Sequence, residues 1–260
     1  EMYELKKRQI EAAYKKQQKE IAHLEDFIAR NKARVATTNL AKDRQKKLDR
    51  MEIIEIAREK PKPIFGFKTA RTPSREIITV KDLVIGYNEP LTKPLNFTIE
   101  RNQKIAIKGV NGLGKSTLLN TILKRIKSLS GEIEHGQFLE IGYFKQEEES
   151  SSITALDEFW NEFPGLTNAE VRAALARCGL TTDHITSQMR VLSGGENAKV
   201  RLAKIMNREI NFLILDEPTN HLDVDAKEEL KRAIKEFNGT VLMVSHEPDF
   251  YMDVATEIWN

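Results

Sequence analysis

Cysteine is almost missing from this sequence: Cys178 is the single one in 260 residues. A lone thiol excludes an internal disulfide and fits a reducing compartment. Long hydrophobic runs are missing as well. The apolar stretches are a few residues each, which excludes a membrane-crossing helix of about 20 apolar residues. No secretory leader is visible. A starting methionine is missing too. The chain opens on Glu1 and stops at Trp259-Asn260, just as a further strand (EIW) begins, so it reads as a fragment of a longer protein, one large domain plus an appendage.

An excess of either charge is missing only on average. The net charge of +2 combines 17 Lys+Arg against 11 Asp+Glu in residues 1–62 with 24 against 28 in residues 63–260. Residues 30–50 alone hold 8 basic side chains (Arg30, Lys32, Arg34, Lys42, Arg44, Lys46, Lys47, Arg50) and 2 acidic ones, Asp43 and Asp49. Two acids among so many charges is too lopsided for salt-bridge lacing, so the run suggests contact with nucleic-acid phosphates rather than a merely solvated face.

Glycine and proline are absent from Glu1 to Asn31. Ile10, Tyr14, Ile21, Leu24 and Ile28 fall on a seven-residue pattern there, with polar Gln17 completing it, which predicts a helix with one packing seam. A second helix is expected from about Ala36 to Arg58, its apolar stripe being Leu40, Leu48, Met51 and Ile54. A short bend near residues 31–39 predicts an antiparallel hairpin over 1–60 with its basic cluster at the tip. Pro61 and Pro63 end it, and residues 61–75 read as a connector.

The rest is organised around Val191 to Asp223, VLSGGENAKVRLAKIMNREINFLILDEPTNHLD. Ser193, Gly194, Gly195 and Glu196 form a turn that opens a helix carrying Val200, Leu202, Ala203 and Met206 near a 3.6 period. Phe212 to Leu215 is an all-apolar run, hence a strand buried on both faces, and Asp216 and Glu217 follow at its C-terminal end, where open α/β sheets place ligand chemistry. Upstream, Gly109-Val110-Asn111-Gly112-Leu113-Gly114-Lys115-Ser116-Thr117 fits G-x-x-x-x-G-K-[ST]. It lies between an apolar run (KIAIK) and a helical pattern from Leu118 to Ile126, the context this phosphate loop needs. Gly109, Gly112 and Gly114 let the backbone N–H groups of the loop, Asn111 and Thr117 included, curl inward on phosphate at a helix N-terminus. Lys115 would meet the β and γ phosphates and Ser116 a magnesium ion.

These stretches together resemble the ATP-binding cassette family over nearly all of residues 76–260. The resemblance implies an α/β fold with a RecA-like phosphate-loop core, an antiparallel β subdomain and a helical subdomain over about 150–205. It implies ATP and Mg²⁺ as ligands. Tyr87 would stack on adenine. Gln146, in YFKQ, would sense magnesium and the attacking water. Asp216 would stand on the magnesium side, Glu217 would be the catalytic glutamate, and His246, in VSHEPDF, the switch histidine. Asn220 to Asp223 would touch a partner cassette, and Ser193 to Glu196 would cap a nucleotide that the partner holds. His23, His135 and His184 receive no role.

A charged hairpin directly before such a cassette looks like the F class of the family, and FIARNKARVATTNLAKDRQKKLDRM is similar to its linker region. That class implies a cytoplasmic protein with two cassettes in one chain that binds the ribosome without a membrane. Its linker reaches toward tRNA and rRNA. The fragment would then be linker plus C-terminal cassette, truncated at its end and lacking the first cassette, unless it pairs with a second copy of itself. A short bend leans toward a general translation factor rather than an antibiotic-resistance one. Two other classes share parts of the pattern: the ATPase subunit of a membrane transporter, and a DNA-maintenance ATPase with a coiled coil.

Overall fold

In the computed structural model the described residues are 2–31, 38–51, 61–109, 114–145 and 151–259. They divide into two units, residues 1–59 and 60–260. The first unit is a helix pair, α1 (Met2–Asn31) and α2 (Thr38–Asp49). The seven-residue seam is visible in burial: Tyr14, Gln17, Ile21, Leu24, Ile28 and Asn31 are each partly or fully covered. The helices run antiparallel, with Lys47 ion-paired to Glu20 at 2.5 Å and the Arg44 guanidinium over the Phe27 ring. That hydrogen bond and the Lys47 charge hold the Glu20 carboxyl below its ordinary value.

The stripe expected over Leu40, Leu48 and Met51 departs from the structure at its first position only, since Leu48 and Met51 are partly covered. Leu40 is 53% exposed, whereas Ala41 is buried. Ala41 and Leu48 are the pair seven apart that faces α1. A close crossing takes the small side chain there and leaves leucine outside. α2 ends at Asp49; the expected continuation to Arg58 with Ile54, and the tip residues Lys32 and Arg34, lie outside the described residues.

The second unit contains β1 (Lys68–Thr69), β2 (Glu76–Val84), β3 (Leu95–Glu100), β4 (Lys104–Ile107), α3 (Lys115–Ile122), β5 (Ser130–His135) and β6 (Ile141–Phe144). There follow α4 (Ala155–Trp160), α5 (Asn168–Arg177), α6 (Thr182–Thr186), α7 (Gly194–Asn207), β7 (Glu209–Ile210), β8 (Phe212–Asp216), α8 (Val224–Glu236), β9 (Thr240–Val244), α9 (Pro248–Val254) and β10 (Glu257–Trp259). A five-stranded parallel sheet has the order β10-β4-β9-β8-β6, and β3-β2-β5 form an antiparallel sheet. Every residue of β8 and β9 is buried, as expected for parallel strands covered on both faces. Phe212, Ile214, Leu242 and Val244 join the core shared with α3 and the antiparallel sheet. Leu213, Leu215, Val241 and Met243 join the larger core with α4, α5, α7 and α8. Sheet alternation thus splits one all-apolar run between two cores.

Residues 61–75 do not stand apart as a connector. Ile64 N–H bonds the Arg177 carbonyl, Phe65 N–H bonds Glu229, and Lys68–Thr69 add a short parallel pair to Glu209–Ile210. Phe65 is 1% exposed and belongs to the larger core. The segment is a strap that ties the end of α5 to α7 and α8.

Candidate functional site

Parallel register brings the site together. Ile107 pairs with Val244, and Asp216 pairs with the same Val244, so β4, β8 and β9 end at one edge. Gly109 and the start of α3 leave the first end, Asp216-Glu217 the second, and Ser245-His246 the third. Gly114 caps α3 with φ 81, a left-handed conformation that glycine adopts without a Cβ penalty. The Lys115 ammonium donates to the Gly109 carbonyl at 2.8 Å, closing the loop on itself. Thr117 is buried at the base of α3, with its carbonyl taking the Thr121 hydroxyl. Asn111, Gly112 and Gln146 lie outside the described residues.

Asp216 is 2% exposed. Burial pushes its carboxyl above the ordinary value; a hydrogen bond from Ser116 pulls it back, and the Glu217 charge pushes it up again. The nearby Tyr143 hydroxyl also pulls the carboxyl down. Yet Oδ1 of Asp216 is buried with no hydrogen-bond partner among the described residues. A hydroxyl and a desolvated carboxylate with an orphaned oxygen present the hard donors that suit a small divalent cation. Among the described residues no group of three or more His, Cys, Asp or Glu side chains could hold a metal by itself.

Glu217 follows in a strained backbone, φ 47, with its N–H on the Val244 carbonyl. Its side chain is clamped: Oε1 lies 3.1 Å from His246 Nε2, and Oε2 accepts from the Asn220 amide at 2.7 Å. Glu247 fixes the histidine loop, since Lys227 of α8 donates to both its carboxylate oxygens and its N–H bonds Ser245 Oγ. The Glu217 carboxylate is thus held from two sides, on a non-glycine backbone in the left-handed region.

Tyr87 lies in the turn Gly86–Pro90 and is 66% exposed, an open ring rather than a packed one. The residues flanking this turn lie against the start of α3, because a Cβ at Gly114 would lie 3.4 Å from Leu91 Cδ1 and 3.5 Å from Ile85 Cδ1.

The LSGGE turn forms a second cluster. Ser193 caps α7 in a reciprocal box: its Oγ accepts from Glu196 N–H at 3.4 Å, and Glu196 Oε2 accepts from Ser193 N–H at 2.9 Å. The two glycines are required by the neighbouring loop. A Cβ at Gly194 would stand 2.9 Å from His221 Cγ, and one at Gly195 2.5 Å from the His221 carbonyl oxygen. Asp223 works inside the chain, with Oδ1 capping α8 and Oδ2 on buried Lys199 of α7 at 2.9 Å. With Gly179 and His184 these residues line a cavity of about 320 Å³. α7 also reaches the segment before Gln146, since Arg201 donates to the Lys145 carbonyl at 2.7 Å. Asn220 as the clamp of Glu217, Lys199 as the partner of Asp223, and His184 beside Glu196 were missed from sequence. Only Asn220 stood inside a motif; the other contacts join residues far apart in the chain.

The chain matches the family described as ABC transporter over residues 92–220, and a second family of the same description over residues 1–66. It is 62% identical over 261 residues to the uncharacterized ABC transporter ATP-binding protein YfmM of Bacillus subtilis, covering 100% of this chain and 50% of that one. It is 36% identical over 255 residues to ABC transporter F family member 2 of Arabidopsis thaliana, covering 95% and 38%. The chain therefore spans about half or less of these relatives. A solved dimeric bacterial ABC transporter cassette superposes with TM-score 0.60 at 23% identity, over 68% of this chain and 91% of that one, and is similar in fold.

Proposed function

The chain belongs to the F family of ATP-binding cassette proteins, and from that premise we propose that it is one half of an ATPase that works on the ribosome. Its cassette binds ATP at the phosphate loop and hydrolyses it when a second cassette closes on it. Its basic hairpin reaches toward tRNA and rRNA. A cytoplasmic location is part of the same proposal. No helix of the described residues is long and apolar enough to cross a membrane.

The observation that carries the catalytic part is the clamped Glu217 next to Asp216 at the strand end. Lys115 takes the charge of the β and γ phosphates, and Tyr87 offers its exposed ring to adenine. Ser116, Asp216 and Gln146 would hold Mg²⁺, which supplies charge neutralisation on the phosphate oxygens. Glu217 accepts the proton of the water that attacks the γ phosphorus, and His246 orients that carboxylate. The Ser193–Gly195 turn lies on elements separate from this loop, and it caps a nucleotide bound by the other cassette. The greater length of the relatives supports a second cassette in the same natural chain. The hairpin reading is supported by its run of arginine and lysine against a net-acidic cassette.

Sedimentation of the full natural chain with ribosomes, lipid vesicles or duplex DNA, in ATP with the Glu217→Gln substitution, tests the proposal. Enrichment with ribosomes is expected. Enrichment with vesicles or DNA instead would contradict it.

A further inference from the structure

We propose that His184 is a positioning residue for the LSGGE turn, holding Glu196 so that Ser193 presents its hydroxyl in one orientation; this rests on the reading that the turn caps a nucleotide bound by another cassette. His184 is the third residue of α6, whose cap is Thr181. Thr181 N–H donates to His184 Nδ1 at 3.3 Å, and His184 N–H returns to Thr181 Oγ1 at 3.3 Å. An accepting Nδ1 places the proton of the neutral ring on Nε2. That nitrogen lies 3.3 Å from Glu196 Oε1, while Glu196 Oε2 takes the Ser193 N–H at 2.9 Å. One hydrogen-bonded chain therefore runs from the α6 cap through a single carboxylate to the serine. On the far side the His221 loop leaves no room for a side chain at Gly194 or Gly195.

The other two reciprocal caps among the described residues explain why a histidine stands here. α5 pairs Thr167 with Glu170, and α7 pairs Ser193 with Glu196. Glutamate or glutamine is the usual third residue of such a box. A glutamate at position 184 would cap α6 equally well but would set a second carboxylate against Glu196. Imidazole provides an acceptor and a donor separated by one carbon. A glutamine amide has the same relation between Oε1 and Nε2, so it too can accept from Thr181 and donate to Glu196.

The test uses H184E, H184Q and S193R in the full natural chain, measuring ATP turnover against ATP concentration and nucleotide binding separately. H184E keeps the cap and loses the link. It is expected to lower kcat about tenfold with KM within about twofold, whereas H184Q stays within about twofold of the parent in both. Wild-type turnover by H184E overturns the proposal. So does a fall in nucleotide affinity that matches the fall in turnover, or an equal loss in H184Q. S193R separates the two readings. If S193R is impaired and H184E is not, only the role of His184 falls. If S193R turns over normally, the capping role of the turn falls and His184 with it.

Discussion

His246 Nε2 stands 3.1 Å from Glu217 Oε1, and the Asn220 amide holds the other oxygen of the same carboxylate at 2.7 Å. Two residues from two loops therefore hold the carboxylate proposed to take the proton from water. Glu217→Gln keeps the shape and the Asn220 hydrogen bond but removes the base. Turnover is expected to fall roughly 10²–10⁴-fold with ATP binding retained. Asn220→Ala leaves the base free to swing and is expected to cost less, lowering kcat with little change in KM. Steady-state hydrolysis together with a nucleotide-binding titration checks both. Unchanged turnover in Glu217→Gln would remove Glu217 from the chemistry.

The strap through Phe65 makes a prediction about stability. Its ring is buried in the larger core, and its backbone is tied to Glu229, which Arg232 also engages. Phe65→Ala leaves a cavity and is expected to destabilise the cassette by about 3–5 kcal/mol. A denaturant titration of the whole chain reads this directly. A loss below about 1 kcal/mol would mean that the strap is dispensable.

Cys178 supplies a probe of opening. Burial pushes its thiol up to about 12. At neutral pH the folded state therefore holds an unreactive thiol. A disulfide reagent is expected to label it only as fast as the region around α5 opens, and at once in denaturant. The sign of the linkage follows: the raised folded value contributes stability that is present below the ordinary thiol range and is lost as pH rises toward about 12. Immediate labelling of the native chain would show that this core is open.

Much of this was legible in the sequence, for identifiable reasons. The phosphate loop, the LSGGE turn and the Asp216-Glu217 pair are local patterns whose chemistry sits in consecutive residues. β8 and β9 are all apolar because both of their faces are covered. β5 escaped notice because Ser130–His135 exposes most of its side chains and joins the sheet through its backbone. Asp82, at φ 46, breaks the alternation of β2 with a register shift, so its sequence does not show one unbroken strand pattern. Leu40 was expected inside because it is apolar, but the crossing with α1 selects Ala41. Phe65 and His184 depend on tertiary contacts with α8 and α7, which no local pattern announces.

Salt dependence of ribosome binding tests the central claim most directly. The cassette carries net negative charge and the hairpin the positive excess, so phosphate contacts should concentrate at the tip. Each such contact contributes a slope of about −0.7 to −0.9 to the log–log plot of affinity against salt. Affinity is measured for the full natural chain carrying Glu217→Gln in ATP, with and without neutral replacements of Arg30, Lys32, Arg34, Lys42 and Arg44. The account predicts weaker binding and a flatter slope in the neutralised hairpin, with ATP binding by the cassette unchanged. Equal affinity and equal slope would contradict it and leave the basic run a solvated helix face.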